Sequence, residues 1–276
     1  MSEELISNGG DMAGVSLNFD TTVAHTARVY NYWLGGMDNF AADRVAGEKT
    51  AAIYPGIRVS ARANRAFLAR TVRYLAGAEG IRQFLDIGTG LPTANNTHEV
   101  AQAVAPQSRI VYVDNDPLVL AHARTLLTSR PEGVTGYLDA DLRDTDKILQ
   151  QAAKTLDFTR PVAIMLMAVL HYLPDEEQAR QIVARLIKSV SAGSFLTISH
   201  AGSDLFQVDI GAFEESLNQH LPGDPHTARP HDTVARFFDG LELLAPGVVR
   251  VSEWRPDAGG DGPDHTTLWG GVGRKR

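Results

Sequence analysis

Short apolar runs alternate with helix-length segments along most of the chain. Residues that favour the start of a helix lie between the runs. Asp116-Pro117 offers an N-cap followed by proline, and residues 174–177 place acidic side chains in the first turn of a helix. Strands that alternate with helices form a parallel sheet with helices on both faces, so the pattern predicts a doubly wound α/β fold. The apolar runs that we predict to be buried strands are residues 83–87, 109–113, 134–138, 162–170 and 194–199.

The two ends of the sheet are expected to differ from its middle. Before the first strand, apolar residues at three- and four-residue spacing predict an amphipathic helix that ends near Gly77, with Ser60 as its N-cap. At the other end, residues 248–254 and 266–272 both have strand patterns, and the Pro/Gly/Asp-rich stretch between them is too short for a crossover helix. Two strands joined in this way run antiparallel, so we expect one reversed strand.

The organisation along the chain follows from these elements. Residues 1–20 are polar and are expected to form a flexible leader, while residues 60–276 form the sheet domain. Residues 21–59 precede the first strand and contain several aromatic residues. We expect them to form an N-terminal helical cap that folds over the sheet.

Composition limits the possible functions. The 276 residues are 43% hydrophobic, which is enough to bury a large core. The net charge is −7, from 26 basic and 33 acidic residues, and the longest basic tract is residues 274–276, so nucleic acid is not expected as a partner. The chain has no cysteine, which excludes disulfides, thiolate metal sites and cysteine nucleophiles, and its nine histidines are scattered, so no metal site is expected.

Membrane association is not expected either. The longest apolar run, residues 162–170, has nine residues, whereas a membrane-spanning helix needs about 20. The first residues have neither the basic nor the apolar region of a signal peptide. We therefore expect a cytoplasmic protein without a membrane partner.

The first predicted strand runs into an Asp-x-Gly-x-Gly motif. Asp86, Gly88 and Gly90 lie where the strand ends, and glycines at such a position let the backbone approach a ligand closely. The next strand ends at Asp114, 24 residues after Gly90. An ionised carboxylate there can accept hydrogen bonds from both hydroxyls of a ribose.

Both NAD and S-adenosylmethionine carry such a ribose, and the loop distinguishes them. The dinucleotide motif G-x-G-x-x-G needs a third glycine at position 93, where this chain has Thr93, and Pro92 removes a backbone donor. An adenosine ligand without a pyrophosphate therefore fits better. Asp141, which begins the loop after the third strand, is suited to accept a hydrogen bond from the adenine amine, and is favoured over Asp139 inside the strand.

These motifs together resemble a known family. The runs FLDIGTGLPT, IVYVDNDP, YLDADLRD and AVLHYLPD are similar to the class I S-adenosylmethionine-dependent methyltransferases. The segments ARVYNYWLGGMDNFAADR and PGVVRVSEWRP resemble more closely an actinobacterial family of S-adenosyl methyltransferases whose substrates are largely unassigned. The resemblance covers roughly residues 20–276. It implies a Rossmann-like sheet with strand order 3-2-1-4-5-7-6, in which strand 7 is antiparallel.

The resemblance implies a role for each motif toward S-adenosyl-L-methionine as cofactor. Asp86 and the Gly88–Gly90 backbone, with Thr89, would face the methionine part, and Asp114 would face the ribose. Asn115 would lie on the adenine side, and Asp141 with Leu142 would lie at the adenine edge. Met167 and Ala168, at the end of the fourth strand, would lie under the sulfonium.

The acceptor side is less distinct in the sequence. His171 and Tyr172 follow the fourth strand, where class I enzymes often place a residue that contacts the substrate. His171 is the candidate for catalysis. The alternative is a buried histidine that only packs in the core and is hydrogen-bonded to a backbone carbonyl. The cap segment has a high density of aromatic and polar side chains. We interpret it as a lid or a wall of the substrate site, and ordinary packing is the alternative. The proposed lid residues are Tyr30, Tyr32, Asp38 and Asn39.

The sequence therefore predicts methyl transfer to a small-molecule acceptor. Enzymes that attack a pyrimidine ring through cysteine are excluded, and the Asn/Asp-Pro-Pro-aromatic loop of nucleic-acid amino methyltransferases is missing after the fourth strand. Two alternatives stay open, a non-catalytic module that senses S-adenosylmethionine or its demethylated product, and a nicotinamide-dependent oxidoreductase. Among the remaining motifs, Arg58, Arg62, Arg65 and Arg73 are interpreted as a solvated helix face, and Asn96 with Glu99 as a capping box.

Overall fold

The structure is a computed structural model that describes residues 20–126, 129–221, 223, 225–257 and 266–276. The predicted leader, residues 1–20, lies outside the described residues except for Asp20. Within the described part, the strands are β1 (Gln83–Ile87), β2 (Arg109–Asp114), β3 (Val134–Asp139), β4 (Ala163–Met167), β5 (Phe195–Ala201), β6 (Glu242–Leu243), β7 (Val249–Arg250) and β8 (Leu268–Arg274). The helices are α1 (Thr26–Trp33), α2 (Ala41–Ile53), α3 (Ile57–Gly77), α4 (Thr97–Val104), α5 (Pro117–Leu126), α6 (Thr145–Ala152), α7 (Glu176–Lys188), α8 (Ile210–His220) and α9 (His231–Arg236), with a 3₁₀ turn at Leu170–Tyr172.

The strands form one mixed sheet in the order β3-β2-β1-β4-β5-β8-β6, and β7 pairs with β8 as well. Strands β1 to β5 pair in parallel, whereas β8 runs antiparallel to β5. With β6 and β7 counted as two pieces of the sixth strand, this is the predicted Rossmann-like order 3-2-1-4-5-7-6 with an antiparallel seventh strand. The predicted fold class, including the N-terminal helical cap, is confirmed.

Successive residues of the central strands enter two different cores. Leu85 and Ile87 belong to the cluster on the α6, α7 and α9 side, whereas Phe84 belongs to the cluster on the α3 and α4 side. Because side chains alternate across a strand, a strand covered by helices on both faces must be apolar at nearly every position. This is why the apolar runs, and not an alternating pattern, mark β1, β4 and β5.

The predicted strand over residues 248–254 is mostly a turn. Only Val249–Arg250 pairs with β8, and the chain then leaves the sheet so that Trp254 is fully buried against α3. Its ring contacts Phe67 and Tyr74 edge-to-face, at centroid distances of 5.7 and 5.9 Å. The apolar residues of this run therefore serve the core beside the sheet.

Helix α3 begins three residues before the predicted N-cap. It starts at Ile57 after Gly56, and Ser60 is a buried residue inside the helix. The Ser60 hydroxyl accepts a hydrogen bond from the backbone N–H of Thr267, at 3.1 Å. A serine that binds a neighbouring strand carries the same local pattern as a serine that caps a helix, which explains why the predicted N-cap was wrong.

Helices α1 and α2 lie over the carboxyl edge of the sheet. Val29 and Trp33 of α1 pack with Phe213 and Leu217 of α8. A buried ionic network adds to this contact, because the Arg28 Nε lies 3.5 Å from Asp43 and 4.0 Å from Asp116. The His25 Nδ1 lies 3.0 Å from the same Asp116 carboxylate. Within the described residues, no helix is both long and apolar enough to cross a membrane.

We expect Phe67→Ala to lower the free energy of unfolding by about 3–5 kcal/mol. The Phe67 ring is fully buried where α3 packs against Trp254 and β8, so its removal leaves a cavity. Urea unfolding would measure the change. Val104→Ala is the control, since Val104 on α4 is 42% exposed and its truncation should change stability by no more than about 0.5 kcal/mol. Equal effects of the two substitutions would contradict this account of the core.

Candidate functional site

A cleft opens at the carboxyl edge of β1, β2 and β4, underneath helices α1 and α3. The space inside it, including the solvent at its mouth, is about 980 Å³. Its strand-end lining contains the residues predicted to bind the cofactor: Asp86, Gly88, Thr89, Gly90, Asp114, Asn115, Asp141, Leu142, Met167 and Ala168.

Asp86 is buried at the end of β1. Its Oδ2 accepts a hydrogen bond from the Thr97 hydroxyl at 2.6 Å. Burial raises the pKa of Asp86 to about 6, while the Thr97 hydrogen bond and the charge of Arg65 act in the opposite direction. The carboxylate is therefore ionised at neutral pH but is held in an environment that favours a cationic partner.

Asp114 occupies the equivalent position at the end of β2. Its Oδ2 accepts from the backbone N–H of Gly90 at 2.9 Å, and its Oδ1 accepts from that of Asp116 at 3.0 Å. Burial raises the pKa of Asp114 to about 6, although both backbone hydrogen bonds favour the ionised form. Each carboxylate oxygen keeps a second lone pair, so both can still accept from a pair of ligand hydroxyls.

The glycines of the loop after β1 adopt a conformation that other residues rarely adopt. Gly88 and Gly90 have φ angles of 73° and 66°. A Cβ at Gly88 would lie 2.5 Å from Cγ2 of Val169, whereas a Cβ at Gly90 would meet no described atom within 4 Å. Gly88 is therefore required for packing, and Gly90 leaves the backbone open toward the cleft.

Asp141 lies at the cleft as predicted, but it is paired with an arginine that the sequence analysis did not identify. Its Oδ2 lies 3.0 Å from Nη1 of Arg143, whose Nη2 donates to the Tyr172 carbonyl at 3.1 Å. Arg143 thus links the loop after β3 to the turn after β4. Asp139 is the exposed last residue of β3 and is not among the described residues that line the cleft.

Ala168 follows β4 with a backbone φ of 54°, which is unusual for a residue other than glycine. Its N–H donates to both the carbonyl and the hydroxyl of Ser199 on β5, at 3.1 and 2.9 Å. Residues with a strained backbone conformation are concentrated at active sites and ligand-binding sites.

The helices above the sheet contribute residues that sequence reasoning missed. Arg65 was interpreted as solvated, which is wrong, because it is half-buried and its Nη2 donates to Oδ1 of Asn96 at 3.3 Å. Arg62 and Arg73 are exposed, as that interpretation requires. The helix periodicity that identified α3 gives no signal for which polar positions face the cleft. The lining residues from these helices are Thr26, Ala27 and Tyr30 of α1 and Asn64, Arg65 and Leu68 of α3.

The structure does not bring all the predicted lid residues to the cleft. Tyr30 and Tyr172 line it, whereas Tyr32, Asp38 and Asn39 lie elsewhere. The Tyr32 hydroxyl binds Glu48, and the Asp38 carboxylate lies 3.2 Å from His122 Nε2. The Asn39 amide donates to Asn31 at 2.9 Å within the cap. These three side chains have local partners that hold them away from the cleft.

His171 is also absent from the lining of the cleft and lies buried behind Tyr172. Burial lowers the pKa of His171 well below its ordinary value, and the neighbouring His226, His200 and Arg229 lower it further. The imidazole is therefore neutral. Within the described residues, no group of three or more His, Cys, Asp or Glu side chains is arranged to hold a metal ion.

Comparison with known proteins gives the family of this chain. A sequence model of the S-adenosyl methyltransferase family matches residues 12–276. A DUF574 family protein from Streptomyces avermitilis, solved by crystallography, is 44% identical, covering 93% of this chain and 99% of its own, with a TM-score of 0.89. A candidate methyltransferase from Thermobifida fusca is 39% identical, covering 93% of this chain and 97% of its own, with a TM-score of 0.84. A search of curated proteins found no match.

The resemblance stated from the sequence motifs is confirmed, because the two relatives come from Streptomyces and Thermobifida and align along nearly their whole length. The family match also decides between the two ribose-containing cofactors, in favour of S-adenosylmethionine. This chain belongs to the S-adenosyl methyltransferase family and is an S-adenosylmethionine-dependent methyltransferase.

Proposed function

We propose that the protein transfers the methyl group of S-adenosylmethionine to a small-molecule acceptor. The observation that carries this proposal is the roof of the cleft: α1 and α3 cover the carboxyl edge where Asp86, Gly90 and Asp114 lie. The buried Arg28–Asp43–Asp116 network fastens α1 to that edge. A cleft that is covered by helices favours a small acceptor over a macromolecular one.

The chemistry of the cleft fits the cofactor. Asp114 offers two carboxylate oxygens with free lone pairs for the ribose hydroxyls. Asn64 is buried and lines the cleft, and its Oδ1 has no hydrogen-bond partner among the described residues. Buried acceptors rarely stay unpaired, so Asn64 and Asp86 are suited to receive the ammonium of the methionine part.

The chain must position and shield the reactants. When bound, S-adenosylmethionine supplies an already activated methyl group. Methyl transfer requires the acceptor to lie in line with that group, at about 3–3.5 Å, and positioning of this kind can contribute up to about 7–11 kcal/mol. A general base is needed only when the nucleophile carries a proton of high pKa. The cap, by covering the cleft, keeps water from the reacting atoms.

Asp114→Ala is expected to weaken binding of S-adenosylhomocysteine by about ten- to a hundredfold. One hydrogen bond to a charged group is worth about 1.5–3 kcal/mol, so the loss of a single ribose hydrogen bond already gives a change of this size. Titration calorimetry measures the effect. Asp139→Ala is the matched control, because Asp139 lies one strand away at the same edge but is exposed and outside the cleft. Unchanged affinity in a folded Asp114→Ala protein would remove Asp114 from the cofactor site.

Affinity for S-adenosylhomocysteine should also depend on pH. The ligand needs the ionised Asp114 carboxylate, and the pKa of Asp114 is raised by burial to about 6. Protons therefore compete with the ligand below pH 6, and the dissociation constant should rise by about tenfold per pH unit for each such carboxylate. Calorimetry from pH 5 to pH 8 tests this.

In the same titration, Asp114→Ala should show a shallower dependence, because the carboxyl of Asp86, whose pKa burial also raises to about 6, still titrates. Identical pH profiles for the variant and the unmodified protein would show that the proton binds elsewhere.

We further propose that residues 21–59 act as a lid whose ligand contact is made by α1. Thr26, Ala27 and Tyr30 line the cleft, and the Tyr30 hydroxyl accepts from Asn64 at 3.0 Å and donates to the Ala61 carbonyl at 3.1 Å. Tyr30 therefore joins α1 to α3 beside the ligand. A ligand held by Asn64 would stabilise this connection.

Hydrogen exchange tests the lid. Amides of residues 26–34 should become more protected when S-adenosylhomocysteine is added, and Tyr30→Phe should weaken ligand binding severalfold, because the hydroxyl between Asn64 and Ala61 is lost. Tyr32→Phe is the control, since the Tyr32 hydroxyl binds Glu48 away from the cleft. If exchange does not change and both variants bind alike, the cap is ordinary packing.

A further inference from the structure

A second cavity adjoins the cleft, and we call it the aromatic pocket. The space inside it, including the solvent at its mouth, is about 480 Å³. Tyr30, Ala168 and Tyr172 line both spaces, so the two spaces meet at these three residues. The other residues of the aromatic pocket are mostly apolar or aromatic: Trp33, Ile57, Ser60, Ala61, His171, Ala201, Phe206, Phe213, Leu217, His226, Thr267 and Leu268.

The walls of the aromatic pocket are rings held in fixed orientations. Phe206 and Phe213 lie 4.8 Å apart and tilted, and Tyr54 packs against both from behind. On the other side, the His171 ring lies 4.5 Å from Tyr172 and 4.6 Å from His226. Ring walls of this kind suit a planar ligand, which can contact them by stacking or by its edge.

In the described part of the chain, two lining histidines have a buried ring nitrogen without a hydrogen bond: Nδ1 of His226, which lies 3.6 Å from the Glu214 carboxylate, and Nδ1 of His171. Nδ1 of His171 makes no hydrogen bond within the described residues, although the side chain is about 95% buried. Unpaired polar atoms are rare in protein interiors and often mark a place where a ligand or water binds. The neutral imidazole carries one proton, so Nδ1 can accept a hydrogen bond when that proton is on Nε2.

Two of the described charged residues lie near the histidines without lining the aromatic pocket: Glu214, whose carboxylate is 3.6 Å from Nδ1 of His226, and Arg229. The buried Arg229 guanidinium donates to the carbonyls of Leu170, Leu173 and Pro174 and to Nε2 of His200. None of the described residues that line the pocket is Asp, Glu, Lys or Arg. A charged ligand group would be buried without a counter-ion, which is costly, so the occupant must be neutral.

We infer that the aromatic pocket binds the methyl acceptor, and that the acceptor is a neutral aromatic alcohol whose hydroxyl donates a hydrogen bond to Nδ1 of His171. This inference rests on the proposed function, since it places the acceptor next to the methyl donor where the two spaces meet, beside Tyr30, Ala168 and Tyr172. A hydroxyl is favoured over an aliphatic amine, because the amine would be a cation at neutral pH and would meet no carboxylate in the pocket.

The transfer balances with the groups present. The acceptor oxygen forms a bond to the methyl carbon while the carbon–sulfur bond breaks, and sulfur keeps the electron pair. The oxygen then carries three bonds, which makes its proton strongly acidic. This proton moves first to Nδ1 of His171, and it passes from there to water when the product leaves. Even an imidazole with a lowered pKa can accept so acidic a proton.

Three probes that share a methyl-substituted benzene ring test the inference: p-cresol, toluene and 4-methylbenzoate. Each is titrated into the unmodified protein saturated with S-adenosylhomocysteine, and binding is followed by ligand-observed NMR. We expect p-cresol to bind about three- to tenfold more tightly than toluene, as one neutral hydrogen bond predicts, and 4-methylbenzoate to bind more weakly than either. The His171 ring ¹⁵N resonance should shift with p-cresol but not with toluene.

A pair of matched variants locates the probe. Phe206→Ala removes a wall of the aromatic pocket and should weaken p-cresol binding at least threefold, while the affinity for S-adenosylhomocysteine stays unchanged. Phe158→Ala is the control, because Phe158 is equally half-buried but lines a different surface cavity. Equal effects of the two variants would overturn the inference.

The outcomes separate the two proposals. If S-adenosylhomocysteine binds but p-cresol binds no better than 4-methylbenzoate, the pocket assignment is wrong and the donor site stands. If the His171 resonance responds equally to p-cresol and toluene, the assigned hydrogen bond is wrong. If S-adenosylhomocysteine itself does not bind, the proposed function fails and this inference fails with it.

Discussion

The burial of two carboxylates at one edge of the sheet governs the arrangement around it. Because β1 and β2 pair in parallel and in register, Asp86 and Asp114 are placed together at their carboxyl ends. Burial raises the pKa of both to about 6, so each ionised group needs nearby donors or cations. The Thr97 hydroxyl, the Gly90 N–H and the charge of Arg65 supply them. The loop after β1 and helices α3 and α4 are therefore parts of one electrostatic unit.

The cap belongs to the same unit. Asp116 donates its N–H to Asp114, caps α5 through Leu118, and meets His25 and Arg28 of the N-terminal segment. Removing one member of a buried ionic network typically destabilises a protein strongly, since the others stay buried without a partner. Any opening of the cap must break these contacts or carry them along. Movement of residues 21–59 as one unit would keep the Arg28–Asp43 contact and break only the contacts to Asp116, whereas movement of α1 alone would break both.

The sequence predicted what is local and missed what depends on packing. Apolar runs and strand-end acids identified the sheet and the lower wall of the cleft, because in a parallel sheet a strand end is also a site edge. Arg65 and Asn64 escaped notice because helix periodicity does not show which polar positions face a ligand. The aromatic pocket draws on residues as distant in sequence as Tyr30 and Thr267. No local pattern contains that combination, and the predicted lid residue Asp38 is instead held by His122.

Ala168 shows how the donor cleft and the aromatic pocket are kept at a fixed separation. A left-handed backbone at a residue other than glycine costs about 1–2 kcal/mol, yet Ala168 adopts it with two hydrogen bonds to Ser199. The following turn is fixed independently by Arg229, which binds the carbonyls of Leu170 and Leu173. Backbone contacts therefore fix the segment from Ala168 to Leu173, which runs between the cleft and the aromatic pocket, and they do so whatever side chains line either space.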